Sequence, residues 1–442
     1  MAPKLRIAWF SELNCQREPG PAVAAYWSDQ LLPLLRQDFE IDLFHNSFAE
    51  YPGYPTYHYL TAFRRQAEKP YDLFFYQLED RVSSDFVRIH LALQPGVVLF
   101  HDFLFTRFGP EQILNSPWER VVAKYRGQGP WPERDCFNPP RGPQGFREAA
   151  FAELALFANP VQLGQFKGEV AARAFVDVPG LGAASIAAPV AVDPHIPASS
   201  PQRMRVAYAG SPQIEDRAHK LLPALAELKD CRLSWLLAEE ERGRAVALLQ
   251  EFGLTDVELI LGRTPQRWYE VVRNTDISVH TSFSAFRHTG PYLPISLMAG
   301  RPTIVTNFGA ATALPDGVVF KIEPGETECA QLADLFGRLS QMASFRAAGA
   351  IQEFARDQFD RKIVAAEIGF VFKQTAAAFA AEHRKWQAFL AEAGAAQFAE
   401  RGALWKGDRS ESGLAGESGE LIWKRLLQPV YRELGWMAAP RG

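Results

Sequence analysis

LGRTPQRWYEVVRNTDISVHTSF (Leu261–Phe283) and TGPYLPISLMAGRPTIVTNFGAATALPDGVVFKIEPGE (Thr289–Glu326) decide the fold of this 442-residue chain. Within them ISVHTS, PTIVTN and VVFKIE are short, apolar and bounded by turn residues, which predicts strands. YLPISLMAG, between the first two, reads as a helix closed by glycine. Short apolar strands alternating with helices describe a parallel sheet buried on both faces. The same rhythm runs upstream through RVAYAG, the helix RAHKLLPALAEL, LSWLLA and VELILG. In that helix Leu221, Leu222, Leu225 and Leu228 share one side. Together these segments make an open sheet domain of about 170 residues, a normal size for one domain.

The first half of the chain has the same pattern. LRIAWF (Leu5–Phe10) leads to a loop containing Gly20 and a helix from about residue 22 to 36. Val23, Trp27, Leu31 and Leu34 recur there at three-to-four spacing. FEIDLFH, YDLFFYQL and GVVLFH follow as strands. Residues 109–146, rich in Pro, Gly and Arg, break the rhythm and are too long for a plain connection. Trp118, Tyr125 and Trp131 in that insertion suit either stacking on the flat face of a ligand or a small core of their own. FREAAFAELALFANP opens a further helix and strand, closing this half near residue 185. APVAVDPHIPASSPQ, with four prolines, reads as a linker. The expected organisation is a first domain over 1–188, a second over 203–375 and a helical extension over 376–442. The fold class is α/β, with two Rossmann-like doubly wound domains facing a cleft.

Composition excludes several function classes. Hydrophobic residues make up 47% and charged residues 22%, ordinary for a globular enzyme, and the net charge of −4 argues against a nucleic-acid partner. No run of about 18 apolar residues occurs, so no spanning helix is expected, although peripheral membrane association stays open. MAPKLRIAWF lacks the length of a signal peptide. Cys15, Cys136, Cys231 and Cys329 are scattered without CxxC spacing, and the nine histidines show no HExxH. Reduced thiols, a cytoplasmic location and no metal site are the corresponding expectations.

The second-domain stretch resembles the donor-binding domain of the large group 1 family of retaining glycosyltransferases, which includes bacterial mannosyl- and glucosyltransferases. The residues that carry the resemblance are Gly290, Gly300-Arg301-Pro302, Gly309 and Asp316-Gly317. In the first domain, YDLFFYQL and PGVVLFHDF resemble the family's strand ending in His-Asp, here His101-Asp102. The resemblance spans roughly residues 4 to 375 in order and spacing. It implies a GT-B fold, a nucleotide-sugar donor held mainly by the second domain and an acceptor of unknown kind held mainly by the first. It also implies hexosyl transfer with retention, no metal and no cofactor beyond the donor. A diphosphate leaving group then needs its charge met by helix N-termini and by Arg or Lys.

By resemblance, His101 contacts the donor sugar, with Asp102 a candidate for orienting that histidine or a neighbouring loop; the alternative for His101 is a hydrogen-bonded core histidine. Gly290 and Thr289, before the helix YLPISLMAG, are donor-side candidates. Gly210 and Ser211, ending RVAYAG, follow the same logic, with Arg217 and Lys220 as the nearby cations. Gly20 lies where the family's first loop approaches the diphosphate or acceptor. The family's paired donor-site carboxylates are replaced here by Arg287 and Ile295, and no carboxylate occurs from Ala310 to Leu314. Ile295 cannot accept a hydrogen bond from ribose, so either Arg287 and His288 read the donor differently or catalysis has been lost. The alternative function is therefore a non-catalytic binding protein of the same fold. Other enzymes of this fold, such as a sugar-nucleotide epimerase, form a third class.

Overall fold

The computed structural model describes residues 3–14, 23–103, 145, 148–149, 152–172, 182–191, 203–228, 230–282, 290–340, 348–379, 384, 388 and 425. LRIAWF forms β1 (Leu5–Phe10), and Ile7 to Phe10 are wholly buried. It is followed by α1 (Val23–Leu35), β2 (Phe39–His45), β3 (Thr56–His58), α2 (Ala62–Glu68) and β4 (Leu73–Leu78). Then come α3 (Asp85–Leu93), β5 (Gly96–Phe100), β6 (Ala152–Phe157), α4 (Pro160–Ala172) and β7 (Gly182–Ser185). These seven strands pair in the order β3-β2-β1-β4-β5-β6-β7, all parallel. β4 and β5 are buried along their whole length, which is why they read as apolar runs interrupted only by Gln77. Gly96 opens β5 because any Cβ there would collide with the Phe74 carbonyl on the neighbouring strand.

The second sheet is built from β8 (Met204–Tyr208), α5 (Ala218–Ala226), β9 (Cys231–Leu237), α6 (Arg242–Glu251) and β10 (Val257–Leu261). It continues through α7 (Pro265–Arg273), β11 (Ile277–His280), α8 (Tyr292–Met298), β12 (Thr303–Thr306) and β13 (Phe320–Ile322). The helices α9 (Glu328–Ser340) and α10 (Ala348–Phe359) follow. The order is β10-β9-β8-β11-β12-β13, again parallel throughout.

Both sheets share one winding: the first strand is central, the next two run outward on one side, and the fourth returns to its other side. The direction reverses between β1 and β4 in the first sheet and between β8 and β11 in the second. Ligands of open α/β sheets bind at the carboxyl ends of the strands, at such a reversal.

Helical residues 361–379, α11, then return to the first domain. Val364, Ile368 and Phe372 are wholly buried in the first sheet's core, with Phe372 edge-on to Phe75 at 5.1 Å. The two crossings lie side by side, where Val190 bridges to Asp360. Among the described residues no helix is long and apolar enough to cross a membrane.

Candidate functional site

The two reversals share one cavity of about 910 Å³. The first domain contributes Val23, at the start of α1, with Arg81 and Ser83 from the loop after β4. The second contributes the ends of β8 and β11, the 3-10 turn Glu239–Glu241 after β9, the loop after β10, and Gly290.

On the second-domain side the backbone is tightly specified. A Cβ on Gly210 would collide with the Tyr208 hydroxyl, which donates to the Asp216 carbonyl at 2.6 Å. Trp235 Nε1 donates to the Gly210 carbonyl at 2.7 Å. Gly290 has φ +67°, a conformation that costs other residues about 1 kcal/mol or more. Gly262, at φ +82°, turns the chain out of β10. Thr264 then caps α7 by accepting from Arg267 N at 3.2 Å, and Pro265 takes the first helical position. This turn aims Arg263 into the cavity. Its guanidinium donates to the Ala209 carbonyl at 3.2 Å and to Glu241 at 3.1 Å, and Glu241 in turn accepts from Ala238 N at 3.0 Å. Beside it, His280 donates through Nε2 to Ser296 Oγ at 3.0 Å, because that hydroxyl is already donating to the Tyr292 carbonyl. Burial pushes the His280 pKa down to about 3, so it enters the cavity as a neutral ring.

Glu12, after β1, arranges the first-domain side. It accepts from Ser83 Oγ at 2.7 Å and Ser84 Oγ at 2.5 Å, and Arg81 Nε lies 3.7 Å away. The loop is thus fixed with Arg81 and Ser83 at the cavity. Behind it Glu79 accepts from Val23 N at 2.6 Å, capping α1. Burial, and then the charges of Glu12 and Asp102, hold the Glu79 carboxyl well above its ordinary 4.5. Folded Glu79 therefore keeps its proton after the unfolded chain has lost it, and stability falls as pH rises above 4.5. Glu79→Gln keeps an oxygen for Val23 N and removes the titration. Its melting temperature should match the wild type near pH 4.5 and exceed it increasingly toward neutrality. A variant less stable than wild type at pH 7 would show that the native carboxyl is ionised.

The residues singled out from sequence fall in several places. Gly210 and Gly290 line the cavity. Ser211 is buried off it, and its N–H is already donated to Asp216 at 2.6 Å. Arg217 does not reach the cavity: its Nε donates to both carboxylate oxygens of Glu328 at 2.8 Å. Lys220 lies on α5, also away from the lining. His101 is wholly buried and is not among the residues that line the cavity. Its Nε2 bonds Gln77 Oε1 at 2.8 Å, and Gln77 donates to Ser28 at 2.8 Å and to Ser11 at 3.1 Å. Asp102 accepts from Asp80 N at 3.0 Å. Gly20, Arg287, His288 and Thr289, like the insertion at 109–146 apart from residue 145, lie outside the described residues. Ile295 is a core residue of the second domain.

Sequence reasoning did not single out Arg81, Arg263, Asp216, His280 or the Glu239–Glu241 turn. The available signal was position: all but Asp216 lie at or within four residues of a strand's carboxyl end, and a linear sequence does not show which strand ends meet at one cavity. Among the described lining residues, two guanidinium groups face four carboxyl groups, of Asp216 and Glu239 to Glu241. Burial raises the Asp216 pKa, which lessens that excess.

No family sequence model and no curated protein sequence matches the chain. Solved structures do match in fold. A sucrose-phosphate synthase from Thermosynechococcus elongatus superposes with a TM-score of 0.61 at 15% identity, over 85% of this chain and 100% of that one. HepE of Anabaena, in complex with UDP-glucose, gives 0.55 at 15% identity over 84% and 100%. WaaG, a glycosyltransferase involved in lipopolysaccharide biosynthesis, gives 0.55 at 14% over 83% and 99%. The chain has the GT-B fold of these glycosyltransferases, with two parallel-sheet domains.

Proposed function

We propose that the chain is a glycosyltransferase that moves a hexose from a nucleotide-sugar donor to an acceptor. The observation that carries this reading is the cavity joining both sheet reversals, with Arg81 entering from one domain and Arg263 from the other. Departure of a nucleoside diphosphate leaves charge on the phosphates. Planar guanidinium groups meet phosphate oxygens with paired, charge-assisted hydrogen bonds. Arg263 is held in position by Glu241 and Ala209, so little reorganisation is needed when that charge develops. The nucleotide lies against the second domain near Gly210 and Gly290, where the backbone comes close without side chains. Support for the donor class comes from HepE, whose fold is similar and whose structures contain UDP-glucose or UDP. Transfer with retention, and without a metal or other cofactor, follows the sequence resemblance.

A thermal-shift screen against UDP-, GDP-, dTDP- and CMP-sugars tests the reading. A ligand at 100 times its Kd adds about 2.7 kcal/mol of stability. Silence with every donor would sink it. Arg263→Ala should weaken the responding donor about 10- to 100-fold, the loss of one charge-assisted contact. Unchanged affinity would remove Arg263 from the donor site.

A second reading, a donor-binding protein without transferase activity, is favoured by two observations. Ile295 is packed in the core where the resembled family has a carboxylate, and the described cavity carries more carboxyl than guanidinium groups. Donor binding without donor turnover above a protein-free blank, across an acceptor screen, would select it.

A further inference from the structure

A second cavity, of about 300 Å³, opens at the carboxyl ends of β2 and β3. It adjoins the cleft: Asn46, leaving β2, donates to the carbonyl of Ser83 at 3.2 Å, and Ser83 lines the larger cavity. Phe48 stands at its rim, 84% exposed, stacked at 4.8 Å on the His58 ring. A single exposed phenyl ring is ordinary on a protein surface, but this one is held in place beside polar groups. His45 Nε2 donates to the Ala49 carbonyl at 2.8 Å, which leaves Nδ1 to accept from Ser47 Oγ at 3.3 Å. Ala49 N donates back to Ser47 Oγ at 3.1 Å. The loop from 45 to 49 is therefore closed on itself with Phe48 projecting outward.

The charges of the cavity leave one cation over. Arg64 pairs with Glu68 at 2.7 Å. Arg65 stacks on the Tyr57 ring and makes no ion pair among the described residues. Burial lowers the pKa of both His45 and His58, so these rings act as neutral hydrogen-bonding groups. His58 Nδ1 accepts from Leu60 N at 3.4 Å, which leaves its Nε2 as the donor. An aromatic face, neutral polar groups and one spare guanidinium in a space for a single hexose fit a particular chemistry. The C–H face of a pyranose ring covers the phenyl group, its hydroxyls bond the imidazole, and an acidic substituent meets the guanidinium.

We infer that this cavity is an acceptor subsite that holds a sugar unit bearing one acidic group, a carboxylate or a phosphate. The inference rests on the reading of the main cleft as the donor site, and its location beside the cleft is what makes the bound sugar part of the acceptor. The experiment titrates the full chain with glucuronate, glucose 6-phosphate, glucose, inorganic phosphate and, separately, UDP, by calorimetry and ligand-observed NMR. Phe48→Ala and Arg65→Gln are compared with wild type; both residues are at the surface and lie outside the donor cavity.

At least one of the acidic sugars should bind wild type about tenfold or more tighter than glucose, the gain expected from one charge-assisted contact. Which of the two binds identifies the acid. Arg65→Gln should erase that preference, Phe48→Ala should weaken the sugar several-fold, and neither should alter UDP affinity. Acidic sugars that bind no better than glucose, or that bind both variants as they bind wild type, would overturn the inference. Inorganic phosphate binding as tightly as the sugars would overturn it too, by showing a bare anion site. If the sugars behave as expected and neither UDP nor any other donor of the thermal-shift screen binds, the donor reading fails instead; nucleotide binding with no acidic-sugar binding sinks the subsite alone.

Discussion

Replacing Arg217 with alanine should cost about 3–5 kcal/mol of stability, the penalty for leaving a buried carboxylate without its partner. Glu328 has no exposed surface and sits in the first turn of α9, 111 residues away in sequence. Its two oxygens take both short bonds from Arg217 Nε, so the pair pins α5 to α9 across one face of the second sheet. Arg217 itself has φ 58°, a strained backbone for a residue with a side chain, and the ion pair helps to hold it there. If the pair is structural, Arg217→Met combined with Glu328→Met should recover most of the loss, since replacing both charges removes the stranded one. The folded double variant should bind UDP as wild type does. A double variant that melts normally but has lost more than about tenfold in UDP affinity would return Arg217 to the donor site.

Most strands were legible in the sequence for a physical reason. A parallel strand covered on both faces is mostly apolar, so LRIAWF and FEIDLFH mark β1 and β2 to the residue, and their buried charges Arg6 and Asp42 are tolerated because they pair with each other. β3 escaped because Thr56 to His58 is three residues, each only partly buried. The return of α11 to the first sheet was equally hidden. Its apolar positions fit a helix packed on either domain, and only the Val190–Asp360 bridge shows where the chain crosses.

The site was less legible than the fold. Arg81 and Arg263 look like any solvated arginine after a strand, and their importance depends on strand order, which a linear sequence does not display. Arg217 and Lys220 had the opposite fault: their place after the β8 glycine suggested a phosphate, while the partner that claims Arg217 lies far along the chain. For His101 the sequence correctly indicated the end of a strand. It gave no measure of depth, because Trp27 of α1 and Gln162 of α4, which cover it, come from elements distant in sequence.

That depth sets the expected behaviour of His101→Ala. The imidazole packs edge-on against Trp27 at 5.0 Å, and its Nε2 is the donor that satisfies Gln77 Oε1. Alanine removes the ring contact, opens a cavity beside a tryptophan and strands the amide oxygen of a wholly buried glutamine. These effects together are worth about 2–4 kcal/mol, or roughly 4–16 °C in Tm for a domain of this size. His101→Gln, which carries an amide donor near the position of Nε2, should regain part of that. Affinity for UDP and turnover, expressed per folded molecule, should change little in either variant. The competing outcome follows from the family resemblance. If cleft closure brings the ring to the donor sugar, His101→Ala should keep its Tm within a degree or two while kcat falls about 10²-fold through loss of a positioning contact. Measuring Tm and kcat on one preparation separates the two. A stable, slow variant would make His101 a catalytic residue, and an unstable variant with normal turnover per folded molecule would make it part of the buried packing that joins α1 to β4.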